Sequence, residues 1–515
     1  MKARLVLSIA AALAALAFAG CGGDSSSDDP ASLAPGDTPL YFQVLLRPQG
    51  QLKSDVETLA STVSGFSDPT GELIGFLNRS MNERPTLSGK RLSYAEDIEP
   101  WLGRRAGVFV EGLEGDPPAA GVIQTTDVEA TQAFIDKSKQ EGDENHSYGG
   151  VDYLLDGDSD TAAGIVGDFL VVGSEAAFKR TVDVSEGEED PLSGQSEFTK
   201  AIDEAPANSL ADVYADVGGL LEQAGTAESD QAVQVFKSIG IDPTDATAVA
   251  SVVPGSDQVE IDFSSDLGGE EAPSGDVSEL LGSLPADAFA AFGAAGFSEQ
   301  LKEAIDELDS SGIPGNLPPN RLKSTLKAMG IDLDRIAGSL ESAAVFAQGS
   351  GEGSLGGALV FTTGSGEAAE TVANIGVLLR NTGAPGVTAV TGKASGFSVR
   401  DPDLGRRPLV IVAKDDRIAI GYGFAPALRG VAAAGGATLS DTPSYEAAVS
   451  ALGDTSIDAF VDGPGVLLLA EGLGAASDPG FQRARPYLAK ADFLAVGTGA
   501  EGDLTTTKLI VGFAK

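Results

Sequence analysis

Residues 34–61, APGDTPLYFQVLLRPQGQLKSDVETLAS, decide the fold because residues 284–310, LPADAFAAFGAAGFSEQLKEAIDELDS, repeat their plan. Each begins with a Pro-small-Asp turn, runs through an apolar stretch, breaks, and continues in helical spacing. Leu52, Val56, Leu59 and Val63 share one face of the first predicted helix; Leu301, Ile305 and Leu308 share one face of the second. Long-period self-similarity sets the architecture before any local reading does.

Working outward, the echo continues in order. GVIQTTDVEATQAFIDK from Gly121 answers GALVFTTGSGEAAETVANI from Gly357, each a strand ending in Thr-Thr and then a helix. AAGIVGDFLVVGSEAAFKRTV from Ala162 answers VIVAKDDRIAIGYGFAPALRGVA from Val410, each strand, tight turn, strand, helix. The stretch from Leu192 to Glu222 answers that from Leu439 to Glu471, with Tyr214-Ala215-Asp216 where Phe460-Val461-Asp462 stands. ATAVASVVPGSDQVEIDFSSD from Ala246 answers FLAVGTGAEGDLTTTKLIVGF from Phe493, both hairpins. The offset stays at roughly 240–250 residues. Short turns between strands make antiparallel sheets, and sheets of this kind bury a face under helices. The expected class is therefore α+β: two tandem related modules, each an antiparallel sheet with helices packed on one face. The boundaries read are 35–265 for the first module, 284–515 for its internal duplicate, and 266–283, rich in Gly, Glu, Pro and Ser, for the linker.

Upstream of the first module the chain opens with Lys2 and Arg4, then the apolar run Leu5–Phe18, too short for the ~20 residues of a span. Ala19, Gly20 and Cys21 follow. Residues 1–20 read as a secretory signal and residues 21–34 as a disordered polar tether. The four residues Phe18-Ala19-Gly20-Cys21 resemble the bacterial lipobox, although Phe18 stands where Leu is usual. That resemblance implies diacylglyceryl modification of Cys21, and acyl chains anchor at roughly 0.8 kcal/mol per buried methylene. The chain would then sit on the outer face of the cell membrane. Gly22 places no acidic residue beside the anchor. Cys21 is the single cysteine, so its use as an anchor removes disulfides, cysteine metal sites and cysteine nucleophiles from the body.

Composition narrows the partners. The formal charge is −42, and residues 1–270 hold 16 basic and 47 acidic side chains of the chain's 34 and 76. Such a field repels nucleic acid and anionic lipid headgroups. The 42% hydrophobic fraction is enough for large cores, while aromatics at 6% are sparse for a sugar-stacking cleft.

A search for chemistry returns little. His146, the only histidine, lies in KQEGDENHSYGG, which reads as a polar loop, and no Gly-x-Ser-x-Gly elbow accompanies it. GEGSLG at 351–356 has the dinucleotide spacing but lies between two strand patterns, as a hairpin loop does, rather than between a strand and a helix. Thr391-Gly392-Lys393-Ala394 lacks the Walker hydroxyl. In DGDSD, Asp156, Asp158 and Asp160 alternate as oxygen ligands for calcium can, but the EF-hand pattern fails at Thr161 and Gly167. Asp401 and Asp403 occupy the matching turn of the second module. The commoner use of such residues is a solvated turn, and SEGEED at 185–190 reads as a solvated charge run. Trp101, the only tryptophan, reads as a core or helix-end packing residue.

The Pro35–Phe42 strand, the amphipathic helix after it and the two-fold layout together resemble the bacterial envelope lipoproteins of domain-of-unknown-function family 3352. The resemblance implies an anchored envelope protein of unassigned activity and brings no functional residues. The expectation is a non-catalytic binding or scaffolding lipoprotein without cofactor or catalytic residue. Its partners are the membrane through Cys21 and an envelope protein or hydrophobic ligand. The alternatives are a carrier of a lipid or other hydrophobic molecule and, last, a carboxylate-dependent hydrolase.

Overall fold

Both Pro-small-Asp turns lead into sheets. A computed structural model describes residues 29–514 other than 65–68, 83–85, 114, 158, 225–245, 267–274, 297, 312–319, 329–330, 382–385, 401–405, 433–435 and 502–503. The chain divides into two compact units, Met1–Glu270 with Ala500–Thr507 and Glu271–Gly499 with Lys508–Ala514.

The first unit contains β1 (Leu40–Leu45), β2 (Leu102–Val110), β3 (Ala119–Thr125), β4 (Asp143–Tyr148), β5 (Val151–Asp156), β6 (Thr161–Val166), β7 (Phe169–Ser174), β8 (Ala211–Asp216), β9 (Thr247–Pro254) and β10 (Gln258–Ser265). They pair antiparallel in the order β4-β5-β6-β7-β3-β2-β1-β8-β9-β10. The hairpin β4–β5 turns through Gly149 and Gly150, both at positive φ (55° and 76°), the conformation of a two-residue primed turn.

The second unit contains β11 (Ala288–Ala295), β12 (Leu340–Gln348), β13 (Gly356–Thr363), β14 (Val387–Val390), β15 (Ser395–Val399), β16 (Leu409–Lys414), β17 (Arg417–Tyr422), β18 (Ser456–Asp462) and, apart from Ala500–Thr507, β19 (Ala491–Glu501) and β20 (Leu504–Phe513). The order is β14-β15-β16-β17-β13-β12-β11-β18-β19, antiparallel throughout, with β20 paired beside β19. Strand for strand this is the order of the first sheet, and every stretch matched in the sequence falls on the corresponding elements. The class is α+β.

One expectation is corrected. Helices cover both faces of each sheet rather than one. The reason lies in strands whose two alternations are both apolar: β2 buries Phe109 on one side and Val108 on the other, and β7 buries Val171 and Leu170 likewise. The helices Glu175–Glu186 and Ser196–Asp203 close the first face through Phe178 and Phe198; Pro69–Met81 and Val128–Ser138 close the second through Leu77 and Ile135. In the second unit, Phe424–Gly430 and Pro443–Leu452 cover the side of Val360 and Val410, and Glu367–Asn381 covers that of Ile411 and Ile418.

Three further readings are corrected. The tether does not extend to residue 34: a short 3-10 turn Pro30–Ser32, capped by Asp29 accepting from the Ala31 N–H at 3.0 Å, places Ala31 and Ala34 fully inside the core. The linker does not extend to residue 283, because Val277, Leu280 and Leu281, carried by the turn of helix Ser278–Gly282, fill the second core. Leu308, expected on a buried face, is exposed on the helix Ser298–Ser311, where Leu301 makes the packing contact.

Candidate functional site

The lipidation candidate Cys21 lies outside the described residues, which begin at Asp29. Of the calcium candidates, Asp156 ends β5, Asp158 lies outside the described residues, and Asp160 takes a positive φ of 58° in the turn. The Asp156 carboxylate accepts from the Ser159 hydroxyl at 2.8 Å. Asp401 and Asp403 also lie outside the described residues. Among the described residues no group of three or more His, Cys, Asp or Glu is placed to hold a metal ion. GEGSLG is the connection between β12 and β13, as its flanking strand patterns indicated. Trp101 is 2% exposed, donates from Nε1 to the Asp97 carbonyl at 2.5 Å and packs on Phe134, a core residue at a helix end.

His146 is not in a loop. It stands in β4, paired with Tyr153 across the hairpin, and the two rings stack with centroids 5.6 Å apart. Alternation had been masked by the charged residues around it. The two residues line a cleft of about 560 Å³ between the helix Val128–Ser138 and the β4–β6 edge, with Gln132, Asp136, Lys139 and Asn145 on its polar walls. Lys139 donates to Asn145 Oδ1 at 3.0 Å. Behind His146 the Tyr153 hydroxyl donates to Glu175 Oε1 at 2.6 Å, and Lys179 Nζ lies 2.9 Å from the same carboxylate oxygen. Those two hydrogen bonds, from Lys179 first and Tyr153 second, lower the Glu175 pKa; burial, then the bond to Glu175, raises that of Tyr153. His146 Nε2 lies 3.5 Å from Glu144 Oε2. The cleft can hold a small polar molecule through amide, ammonium and carboxylate groups. A nucleophile would need a general base in hydrogen-bonding reach, and the imidazole here faces a carboxylate and a phenol ring.

The more distinctive constellation recurs in both units. In the first, Arg180 on the helix Glu175–Glu186 donates from Nη2 to Asp37 of the Pro-Gly-Asp turn at 2.8 Å and to Glu189 at 2.7 Å; its Nη1 stands 3.4 Å from Glu111. Burial opposes this charge, but the bonds to Glu189 and Asp37 outweigh it and hold the guanidinium protonated. Glu189 therefore belongs to an ion pair, a correction to the reading of SEGEED as merely solvated. In the second unit Arg429 makes the same contact, Nη1 to Asp287 Oδ2 of the Pro-Ala-Asp turn at 2.9 Å, with Nη2 on the other oxygen. The backbone repeats as well: Leu192 N–H to the Ala34 carbonyl and Leu439 N–H to that of Leu284, both at 2.8 Å.

A second shared feature was present in the sequence as D-V-Y-A-D and D-A-F-V-D. Asp216 and Asp462, each closing its strand, accept from the N–H three residues on, Gly219 at 2.9 Å and Gly465 at 2.7 Å, and so cap the next helix. Asp212 takes hydrogen bonds from Gln43, Ser209 and Ser251 at 2.9, 3.0 and 2.7 Å. Its counterpart Asp458 accepts from the Thr498 N–H at 2.7 Å, and burial raises its pKa. The aromatic between them makes an edge-on pair in both units, Phe198–Tyr214 and Tyr445–Phe460, with centroids 5.1 Å apart in each. These aspartates are structural clamps.

The molecule is thus an α+β protein of two units whose antiparallel strands follow one order, its turns held by Arg–Asp clamps. Over residues 3–394, about three quarters of the chain, the sequence matches the model of the family described as "Protein of unknown function (DUF3352)", and the chain belongs to that family. No curated protein matches it. Among solved structures it is similar to crystal forms IV, III and I of TP0453, at 11, 10 and 11% identity and TM-scores of 0.27, 0.25 and 0.25. These matches cover 47, 48 and 48% of this chain and 81, 83 and 82% of those chains. Among the described residues no helix is long and apolar enough to cross a membrane.

Proposed function

We propose that the chain is an exported lipoprotein, acylated on Cys21 and held at the outer face of the cell membrane, whose two units serve a non-catalytic binding or scaffolding role. The observation that carries this reading is the placement of the only cysteine directly after Phe18-Ala19-Gly20, with seven residues between it and the cap at Asp29. The recurrence of strand order, Arg–Asp clamp and capping aspartate supports descent of the two units from one duplicated module. Carriage of a hydrophobic ligand would need an apolar interior. Among the described residues both faces of each sheet are filled by their own side chains and the cleft beside His146 has polar walls, which favours the binding or scaffolding role. The test is Cys21→Ala in the producing cell. The wild-type chain should fractionate with membranes and carry the mass of an acyl modification; the variant should appear unmodified in the soluble extracellular or periplasmic fraction. Membrane retention equal to wild type would overturn the anchor.

A further inference from the structure

The β18–β19 connection is built unlike an ordinary surface loop. Its first helix, Gly463–Gly472, reads GPGVLLLAEG and has no buried residue. Leu468 on this helix and Leu473 just beyond it are 57% and 56% exposed, and Tyr487 and Leu488 stand out from the second helix, Pro479–Leu488. The pairings bring the C-terminal ends of β17 and β18 to the same end of the sheet, where Tyr422 and Phe424 are exposed too. The one charged group of the first helix, Glu471, is taken up by Arg485 of the second at 2.6 Å, and the other side chains of the first helix are apolar and unsuited to water. Ten residues are about half of what a bilayer span requires, which leaves the plane of the interface.

Charge distinguishes the occupants. Residues 463–490 carry Arg483, Arg485 and Lys490 against Glu471 and Asp478, a net charge of +1 in a chain of net charge −42, and Arg485 is paired with Glu471 at 2.6 Å. A second copy of the chain would bring −42 against −42, whereas a bilayer surface can be met at this locally positive hairpin with the acidic remainder of the chain held away from it. A lipid headgroup layer instead suits an apolar helix edged by arginine, lysine and tyrosine. We infer that the 463–488 hairpin of the second unit seats on the bilayer surface, with Leu468 and Leu473 entering the headgroup region. The inference rests on the lipoprotein reading for the bilayer's proximity.

The lone cysteine makes a direct test available. The full chain bearing Leu473→Cys is labelled with an environment-sensitive fluorophore and reconstituted in phosphatidylglycerol–phosphatidylethanolamine vesicles, with Val449→Cys on the helix Pro443–Leu452 as control. Emission at 473 should shift to the blue and be quenched severalfold more than at 449 by lipid-borne nitroxide; adding Leu468→Glu should remove the difference. Water-like emission at 473, or equal quenching at both positions, overturns the inference. So does a Leu468→Glu variant that turns a dimer into a monomer while leaving the quenching unchanged, since the occupant would then be a second copy. Label stoichiometry separates the two readings. One fluorophore per chain means Cys21 is blocked by its acyl group; two mean that it is free, so the anchor fails while quenching at 473 still decides the bilayer contact.

Discussion

Replacing Arg180 by Met tests the clamp that both units share. The guanidinium faces three carboxylates, and the side chains of Arg180 and Glu111 are 27% and 16% exposed. At 3.4 Å a full charge pair is worth about 1.2 kcal/mol in water and about 5 at an effective dielectric of 20. The bonds to Asp37 and Glu189 lie nearer solvent and add only about 0.2–1 kcal/mol each. Solvent screening of a partly exposed arginine brings the expected loss to about 3 kcal/mol at pH 7, much of it the cost of Glu111 left charged without a cation. Even with Arg180 present, burial raises the Glu111 pKa above its ordinary value. In the variant it should rise further. Between the unfolded and folded pKa values the native state keeps a proton that the unfolded state has lost, so stability falls as pH rises through that interval. The gap between wild type and variant should therefore be widest at neutral pH and should shrink below the ordinary glutamate pKa. Urea unfolding followed by Trp101, the only tryptophan and a residue of the same unit, reads the loss directly. A loss under about 0.5 kcal/mol at pH 7, typical of a surface pair, would refute the reasoning. So would a loss independent of pH, or a Glu111→Gln change that fails to restore part of it.

Other expectations follow from the same contacts. Asp216→Ala and Asp462→Ala should each cost about 1 kcal/mol, and similar values in the two units are expected because each removes one helix cap; chemical denaturation resolves them. Phe178→Ala, at a fully buried site in the first core, should cost about 3–5 kcal/mol by the same assay. In alkaline titration followed at the phenolate absorption band, Tyr214 should ionise late, since burial and then the charges of Asp216 and Glu197 push its pKa up to about 12. Its folded form holds a proton that the unfolded chain loses near the ordinary value of about 10, so stability should decline as pH rises through that window; ionisation of all eight tyrosines together near 10 would contradict it.

The doubled architecture was legible because turns and strand ends carry their own signals: Pro-x-Asp, Thr-Thr before a helix, Asp after an aromatic. Which faces helices cover was less legible. A run such as Phe169–Val172 is compatible with burial on one side or both, and only the placement of Leu170 and Val171 in different cores decides it. Boundaries failed for a related reason. Pro30–Ala34 and Val277–Leu281 look like polar linker by composition, yet each supplies a few small or branched apolar groups that plug a core. The Arg–Asp clamp was invisible because its partners lie 143 residues apart in one unit and 142 in the other. Arg180 and Arg429 were aligned by the repeat, but nothing in their neighbours says where a guanidinium points.

What the two sheets share is therefore frame: the clamp, the caps, the edge-on aromatic pair. The Phe–Tyr pair even exchanges members, Tyr on the strand in one unit and on the helix in the other, so the ring contact is kept while the hydroxyl is not. A group preserved in two copies by strand geometry answers to folding, and one present in a single copy is free to answer to something outside the fold. Neither the polar cleft at His146 nor the apolar hairpin at 463–488 belongs to that shared frame. The cleft presents amide, ammonium and carboxylate groups to water and gains no stability from being covered. The hairpin leaves leucines in water on a helix with no buried residue, and a bilayer surface would relieve that. The physical demand for a partner is thus greater at the hairpin than at the cleft.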